Sequence, residues 1–233
     1  MDAAWGIAGA VAGYGVGSIP FGYLIARANG VDILRTGSGN IGATNVRRVV
    51  GRGPGTLCFA LDVAKGLLPT LGTGVALGTL GRPDAPAIAA WLWLATPVAC
   101  VLGHCASPWL GFRGGKGVAT GLGGLLGIFW LLSAAVAGAL VVWLVTLRLS
   151  RYVGLASVLA AVSVPICTLL MLAIATDEPS TGWAPYLAVT SVLAAFVVAR
   201  HRGNLVRIAA GVEPRVGDPP PAGGPTPAEG SAE

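Results

Sequence analysis

Continuous apolar runs, each about long enough to cross a lipid bilayer, constrain the fold of this chain more than any other feature. The first run covers residues 3–26 and contains no charged residue. A membrane-spanning helix needs about 20 apolar residues, whereas barrel strands alternate at period two, so this pattern favours helices. Only 11% of the residues are charged, against about 25% in soluble domains. We therefore predict an all-α, polytopic membrane protein.

Hydropathy divides the chain into about seven spans, at residues 3–26, 54–79, 86–106, 118–132, 133–147, 153–176 and 182–200. The stretch 118–147 is too long for one span, and its division gives two short or partly re-entrant helices. Residues 1–213 are expected to form one membrane domain. Residues 214–233 are rich in Pro, Gly and Ala without apolar periodicity, which is typical of a disordered tail.

The basic residues predict how this topology is oriented. They concentrate in the loops around 27–53, 107–117 and 148–152 and in the segment after 200, whereas Arg82 is the only basic residue on the opposite face. The positive-inside rule then places the N-terminus outside and the C-terminus in the cytoplasm. This distribution explains a pI near 9.4 without a nucleic-acid partner, and we expect none.

A glycine-rich turn around Lys116 is the most informative of three polar cytoplasmic loops. Gly114, Gly115 and Gly117 surround Lys116, so backbone N–H groups and an ammonium can converge on an anion at a helix start. A P-loop needs a glycine where this chain has Leu110, and a hydroxyl residue after the lysine. The turn is predicted to bind phosphate in another manner.

Upstream in the same loop, His104 lies where a span ends. It is either an acid–base group or phosphate donor, or an interfacial histidine that bonds a helix end.

The other two loops supply further donors of the kind that phosphate requires. Residues 35–45 combine Gly37 and Gly39, which permit a tight backbone, with polar candidates: Arg35, Ser38, Asn40, Thr44 and Asn45. The alternative is a flexible polar turn. In the third loop, helical spacing brings His201 and Asn204 onto neighbouring turns. For Arg200 and Arg202 we favour the simpler interpretation of membrane-flanking charges.

Polar residues within the spans add to this pattern. Asp62 and Lys65, three residues apart inside the second span, are predicted to form an ion pair, with Lys65 close enough to a substrate anion to matter. Ser18 lies near the end of the first span, and Ser157 lies beyond the loop at 148–151. Both are candidates to contribute hydroxyl groups to the same face.

Ordered motifs over about residues 5–213 resemble the bacterial membrane-bound acyl-phosphate:glycerol-3-phosphate acyltransferases, the PlsY family. The motifs are Gly17-Ser18-Ile19-Pro20-Phe21, the loop Gly37–Asn45, Leu61-Asp62 with Lys65-Gly66, the segment Gly103–Thr120 and the segment His201–Glu213. Family members often have Ser-Leu-x-Ser after the fifth span, whereas this chain has Gly154-Leu155-Ala156-Ser157. A serine role there rests on Ser157.

The resemblance implies a bacterial inner-membrane protein of seven helices. It would move an acyl group from acyl phosphate to the 1-hydroxyl of glycerol 3-phosphate, giving lysophosphatidic acid and phosphate in the first step of phospholipid synthesis. The implied catalytic residues are Lys116, His201, Asn204 and Ser38. The implied substrate-binding residues are Ser18, Arg35, Gly37, Gly39, Asn40, Thr44, Asn45, Lys65, His104, Gly114, Gly115, Gly117 and Ser157.

Acyl phosphate is already activated, so direct attack by the glycerol hydroxyl without an acyl-enzyme is expected. His201 either orients the acceptor phosphate or helps remove the proton, which the substrate's phosphate could also take. We expect no metal and no cofactor, and a monomer in contact with membrane lipid.

The alternative class is a phosphate or organophosphate transporter, because intramembrane charges and glycine-broken helices also suit one. The clustering of basic residues at one face, rather than at mid-depth in two related halves, favours the enzyme.

Overall fold

The computed structural model describes residues 3–82, 85–175 and 182–218. Helices dominate these ranges, and no strand occurs in them beyond a single isolated bridge. They are α1 Ala3–Gly17, α2 Phe21–Ala28, α3 Ala43–Val49, α4 Arg52–Leu77, α5 Ala87–Cys105, α6 Val118–Leu126, α7 Leu131–Ser150, α8 Val153–Ala175, α9 Trp183–Arg200 and α10 Arg202–Ala209. The last part of the predicted disordered tail, 219–233, lies outside the described residues.

Within the described residues, five helical segments are long and apolar enough to cross a membrane. They are Ala3–Ala28, Ala87–Cys105, Leu131–Ser150, Val153–Ile174 and Trp183–Arg200. Helix α4 has 26 residues, which also exceeds the span length, but it carries the charged Asp62 and Lys65. The all-α, polytopic membrane fold is therefore confirmed, and the count of seven spans stays a prediction.

The prediction of two short helices in 118–147 is half right. Helix α6 has nine residues, about 14 Å or half the hydrocarbon thickness. Helix α7 has 20 residues, about 30 Å and a full span. Close packing of α6 on α4 explains the difference, because a Cβ at Gly123 would overlap the Val63 carbonyl. The glycines of α6 let its backbone approach α4 closely, although the helix itself is short.

A break between α1 and α2 has its own polar partner. Pro20 prevents a continuous helix at this point, so backbone carbonyls near it lose their helical donors. The ammonium of Lys65 on α4 donates to the Ile19 carbonyl at 2.8 Å. A backbone acceptor inside the membrane is thereby satisfied by another helix, as such positions require.

Helix–helix contacts gather α1, α4, α5 and α6 into one group and α7, α8 and α9 into another, which meet around α5 and α9. The core between them contains the fully buried Trp93, Leu94, Ile128, Leu132 and Tyr186. This packing brings the end of α5, the start of α6 and the end of α9 together, and with them the polar loops.

Candidate active site

The turn before α6 is seated on His104, at the end of α5. The Gly115 N–H donates to the His104 carbonyl at 3.1 Å. A Cβ at Gly114 would overlap that carbonyl, and one at Gly115 would overlap the His104 ring. Gly117 has φ +81° where the helix begins. Only glycine fits these three positions, and the turn packs directly against His104.

A series of polar contacts connects Lys116, in this turn, with the segment that follows α9. Lys116 Nζ donates to Asn204 Oδ1, and Asn204 Nδ2 donates to Glu213 Oε1 at 2.5 Å. The other carboxylate oxygen of Glu213 accepts from Arg207 Nε at 2.7 Å. The structure thus brings together Lys116 and Asn204, two of the residues to which the sequence assigned catalytic roles.

The ammonium of Lys116 sits among other cations. Its pKa is lowered from 10.5 to about 8, mainly by burial and also by the positive charges of Arg207, Arg200 and Arg48, against the opposing effect of Glu213. The group is still mostly protonated at neutral pH. Four cations with one carboxylate among them leave an excess of positive charge, which an anionic ligand would neutralise.

His201 is buried between α9 and α10 and is held by its own helix. Its Nδ1 lies 2.8 Å from the Val197 carbonyl, which can only accept, so Nδ1 carries the hydrogen. Burial lowers the pKa of His201 to about 4, and the charge of Lys116 contributes in the same direction. The ring is therefore neutral at physiological pH and its Nε2 is a hydrogen-bond acceptor.

Arg200, the last residue of α9, contacts the lysine turn directly. Its Nη2 donates to the Gly115 carbonyl at 2.7 Å. The interpretation of Arg200 as only a membrane-flanking charge is therefore wrong. Arg202 is exposed and makes no hydrogen bond or ion pair with any residue in the described ranges, which is consistent with that interpretation for Arg202.

In the loop 35–45, the amides hold the loop itself together. Asn45 is buried; its Oδ1 accepts from the Ser38 N–H at 3.0 Å, and its Nδ2 donates to the Thr36 and Asn40 carbonyls at 3.1 and 2.9 Å. Asn40 Oδ1 accepts from the Gly42 N–H at 2.8 Å. These contacts give the loop a defined backbone, with positive φ at Gly37 and Gly39.

The charged and hydroxyl members of this loop remain open to solvent. The Arg35 side chain is 89% exposed and lies 3.6 Å from Asp32, and Ser38 and Thr44 are also exposed. No hydrogen bond joins residues 35–45 to Lys116 within the described part of the chain. The link to the lysine site is Arg48 on the adjacent α3, whose positive charge lowers the pKa of Lys116.

The predicted Asp62–Lys65 ion pair is present. Lys65 Nζ lies 2.8 Å from Asp62 Oδ1, and the two side chains are 1% and 3% exposed. His104 Nδ1 is 3.6 Å from the same oxygen. Because Lys65 also donates to Ile19, its ammonium is occupied within the protein, and its proximity to a substrate anion stays a prediction.

The two serines that the sequence singles out, Ser18 and Ser157, accept hydrogen bonds from tryptophans. Ser18 Oγ donates to the Gly15 carbonyl at 2.7 Å and accepts from Trp109 Nε1 at 3.0 Å. Ser157 is buried, and its hydroxyl accepts from Trp143 Nε1 at 3.4 Å. Each hydroxyl therefore has a structural partner in this state of the protein.

Sequence reasoning missed Arg48, Arg207 and Glu213 as members of the site. Arg48 and Arg207 resemble ordinary positive-inside residues, and their number gave no way to choose between them. Glu213 had a usable signal, since it is the one acidic residue between Arg207 and Arg215 in an otherwise basic segment.

Known proteins match this chain over almost all of its described residues. The family model described as glycerol-3-phosphate acyltransferase matches residues 7–211. A relative named glycerol-3-phosphate acyltransferase from Synechococcus sp. (strain JA-3-3Ab) is 43% identical over 210 residues, 89% of this chain and 92% of its own length. A relative of the same name from Geobacter sulfurreducens is 43% identical over 202 residues, with 87% and 93% covered.

Two solved structures are similar as well. Both are crystal structures of PlsY (YgiH), an integral membrane glycerol 3-phosphate acyltransferase. The glycerol 3-phosphate form has a TM-score of 0.77 at 36% identity and covers 91% of this chain and 96% of its own. The lysophosphatidic acid form has a TM-score of 0.74 at 36% identity, with 90% and 94% covered.

Proposed function

Since the chain belongs to the glycerol-3-phosphate acyltransferase family, we propose that it uses acyl phosphate as donor and releases lysophosphatidic acid and phosphate. The chain is a multi-pass membrane enzyme that acylates glycerol 3-phosphate. Acylation of glycerol 3-phosphate is the first step toward phospholipids. We propose the identity of the acyl donor, the roles of the individual residues and the orientation in the membrane.

The observation that carries this proposal is the excess of cations around Lys116. Its ammonium is not in direct contact with a carboxylate, because Asn204 stands between it and Glu213. Arg200, Arg207 and Arg48 are close enough to lower its pKa. A donor and an acceptor that both carry phosphate match such a site, which can bind one phosphate while stabilising charge on the other.

The proposed step is a direct acyl transfer. The 1-hydroxyl oxygen of glycerol 3-phosphate bonds to the carbonyl carbon of acyl phosphate, the bond between that carbon and the phosphate oxygen breaks, and phosphate leaves with the electron pair. Lys116 and the N–H groups at the start of α6 are placed to stabilise the departing charge. Positioning of the two substrates supplies much of the remaining acceleration.

The hydroxyl proton goes to a phosphate oxygen in this proposal. A phosphate ester has a second pKa of about 6, whereas the pKa of His201 is about 4. The phosphate is the stronger base by about two pH units, so His201 is better suited to orient the hydroxyl by accepting a hydrogen bond at Nε2. Asn204 would hold Lys116 in place.

The remaining assignments follow the sequence. Arg35, Ser38 and Thr44 offer exposed donors to a ligand, while Asn40 and Asn45 shape the loop that presents them. We propose a monomer in the bacterial inner membrane, with this face in the cytoplasm, where a soluble glycerol phosphate and a membrane-bound acyl donor can meet.

Acyl transfer by the detergent-purified protein tests the proposal. Synthetic acyl phosphate and glycerol 3-phosphate should yield lysophosphatidic acid and inorganic phosphate in equal amounts. A transporter catalyses no acyl transfer, and in detergent no gradient exists that could drive transport. Robust turnover with acyl-CoA and none with acyl phosphate would overturn the donor assignment while leaving the enzyme class intact.

A further inference from the structure

We propose that Arg200 is a positioning residue that fixes the orientation of the Gly115–Lys116 peptide, so that the Lys116 N–H faces the substrate phosphate. This inference rests on the proposed function and deepens it. Its starting point is the 2.7 Å hydrogen bond from Arg200 Nη2 to the Gly115 carbonyl, which belongs to the same peptide unit as the Lys116 N–H.

A peptide unit is planar, and its C=O and N–H point in opposite directions. An anchor on the Gly115 carbonyl therefore also sets the direction of the Lys116 N–H. That N–H donates to no acceptor within the described residues, although it lies one residue before the glycine that begins α6. A donor held in this state is ready for an anionic ligand.

The anchor is needed because the turn would otherwise permit a peptide flip. The N–H of Gly115 is fixed on the His104 carbonyl, but rotation about the next bond of a glycine meets little steric resistance. After a flip, the Gly115 carbonyl would face the phosphate and repel it. A hydrogen bond from a guanidinium, which is charge-assisted, favours the orientation that presents the donor.

Arg200 and Asn204, which flank His201 in the sequence, both form hydrogen bonds to the turn. Arg200 at the end of α9 holds the Gly115 carbonyl, and Asn204 on α10 holds the Lys116 ammonium. The backbone and the side chain of one residue are thus oriented by two consecutive helices. Any displacement of the α9–α10 junction would alter both donors together.

Arg202 provides a matched control. It is two residues away and also exposed at the junction, and it makes no hydrogen bond or ion pair with the described residues. Arg200→Ala and Arg202→Ala remove the same charge from the same short segment. Only the first removes the contact with the Gly115 carbonyl.

Steady-state kinetics of the purified variants with acyl phosphate and glycerol 3-phosphate test the inference. Loss of one oriented donor costs about 100-fold in kcat, so we expect Arg200→Ala to lose about 10- to 100-fold in kcat with little change in KM for glycerol 3-phosphate. Arg202→Ala should stay within about twofold, since it removes only an exposed charge. Millimolar guanidinium should restore part of the activity of Arg200→Ala and none of that of Lys116→Ala.

Arg200→Lys separates orientation from folding, because a lysine keeps the charge and one donor. It should have intermediate activity, and rates are to be normalised to monodisperse protein. An Arg200→Ala variant with kcat within about twofold of the parent, or a loss that neither lysine nor guanidinium reverses, would overturn the inference. If Lys116→Ala also keeps its activity, the proposed site itself has failed, so the two failures are distinguishable.

Discussion

At residue 116, an amide separates an ammonium from the nearby carboxylate of Glu213. Lys116 bonds Asn204, and Asn204 bonds Glu213. A direct ion pair would neutralise the charge of the lysine, whereas the intervening amide orients the side chain and leaves the charge available. The arrangement suits a group that must bind an anion, release it as phosphate and return to its starting position.

Lys116→Ala should therefore lose far more activity than Arg113→Ala. The ammonium is placed to stabilise charge on the departing phosphate, and loss of one such donor costs about 2.7–4 kcal/mol, or about 100- to 1,000-fold in rate. Arg113 is exposed before the turn, and we interpret it as a membrane-flanking charge, so its loss should cost much less. Phosphate release by purified protein measures both.

The comparison holds only when both variants elute as folded, monodisperse protein with the melting temperature of the parent. Near-normal turnover by a folded Lys116→Ala protein would show that the phosphate-turn assignment is wrong.

The same lysine predicts an alkaline limit to activity. Its pKa is lowered to about 8 by burial and by Arg207, Arg200 and Arg48, against the opposing effect of Glu213, and His201 also faces it but is neutral above its own pKa of about 4. The charged form is the active one, so kcat/KM should decline as pH rises through about 8.

A bound phosphate favours the charged lysine and raises its pKa. The pH at which kcat declines reports the pKa of the lysine in the substrate complex. It should therefore be higher than the pH at which kcat/KM declines. A flat kcat/KM from pH 7 to above 10 would contradict a catalytic role for this ammonium.

At the scale of single elements, α4 carries a buried ion pair that connects the lysine turn with the break between α1 and α2. Asp62 bonds Lys65 and approaches His104, which seats the lysine turn, while Lys65 satisfies the break between α1 and α2. The pair therefore has structural partners on both sides of the helix.

Asp62→Asn should destabilise the protein strongly. Removal of one partner of a buried pair costs about 3–5 kcal/mol because the other charge is left uncompensated. Asp62→Asn combined with Lys65→Met removes both charges and should recover part of that loss. Thermal unfolding of the variants in detergent measures the difference; equal midpoints for the single variant and the parent would show that the pair contributes little.

The sequence predicted elements well where one physical rule governs them. Long apolar runs gave α5 and α9 to within one residue at each end, because hydropathy alone decides those spans, whereas the first run, 3–26, is divided into α1 and α2 at Pro20. The stretch 118–147 was misjudged because its division depends on how closely glycines of α6 pack against α4. That contact is a tertiary property, and no local pattern encodes it.

Across the whole molecule, the same distinction separates the predictable part of the site from the rest. Lys116, His201 and Asn204 were found because they lie in motifs with unusual composition. Arg200 and Arg202 look equivalent in sequence, and only the direction in which α9 ends brings the first onto the Gly115 carbonyl. The sequence predicts Asn45 as a ligand donor, and in the structure its amide bonds the loop backbone, since a buried amide must satisfy its own hydrogen bonds.

The orientation of the molecule in the membrane gives the last prediction. Lys116, His201, Asn204 and the loop 35–45 lie in segments that the charge distribution assigns to the cytoplasm, so the proposed site depends on that assignment. A cysteine introduced at Asn29, in the loop 27–53, should resist an impermeant maleimide in intact spheroplasts and react after lysis. A cysteine at Arg82, on the opposite face, should react in both. Background labelling should be low, because Cys58, Cys100 and Cys105 are buried and Cys167 is partly buried. Labelling of the Asn29 variant in intact cells would place the loop outside, and a cytoplasmic acyltransferase site would then be untenable.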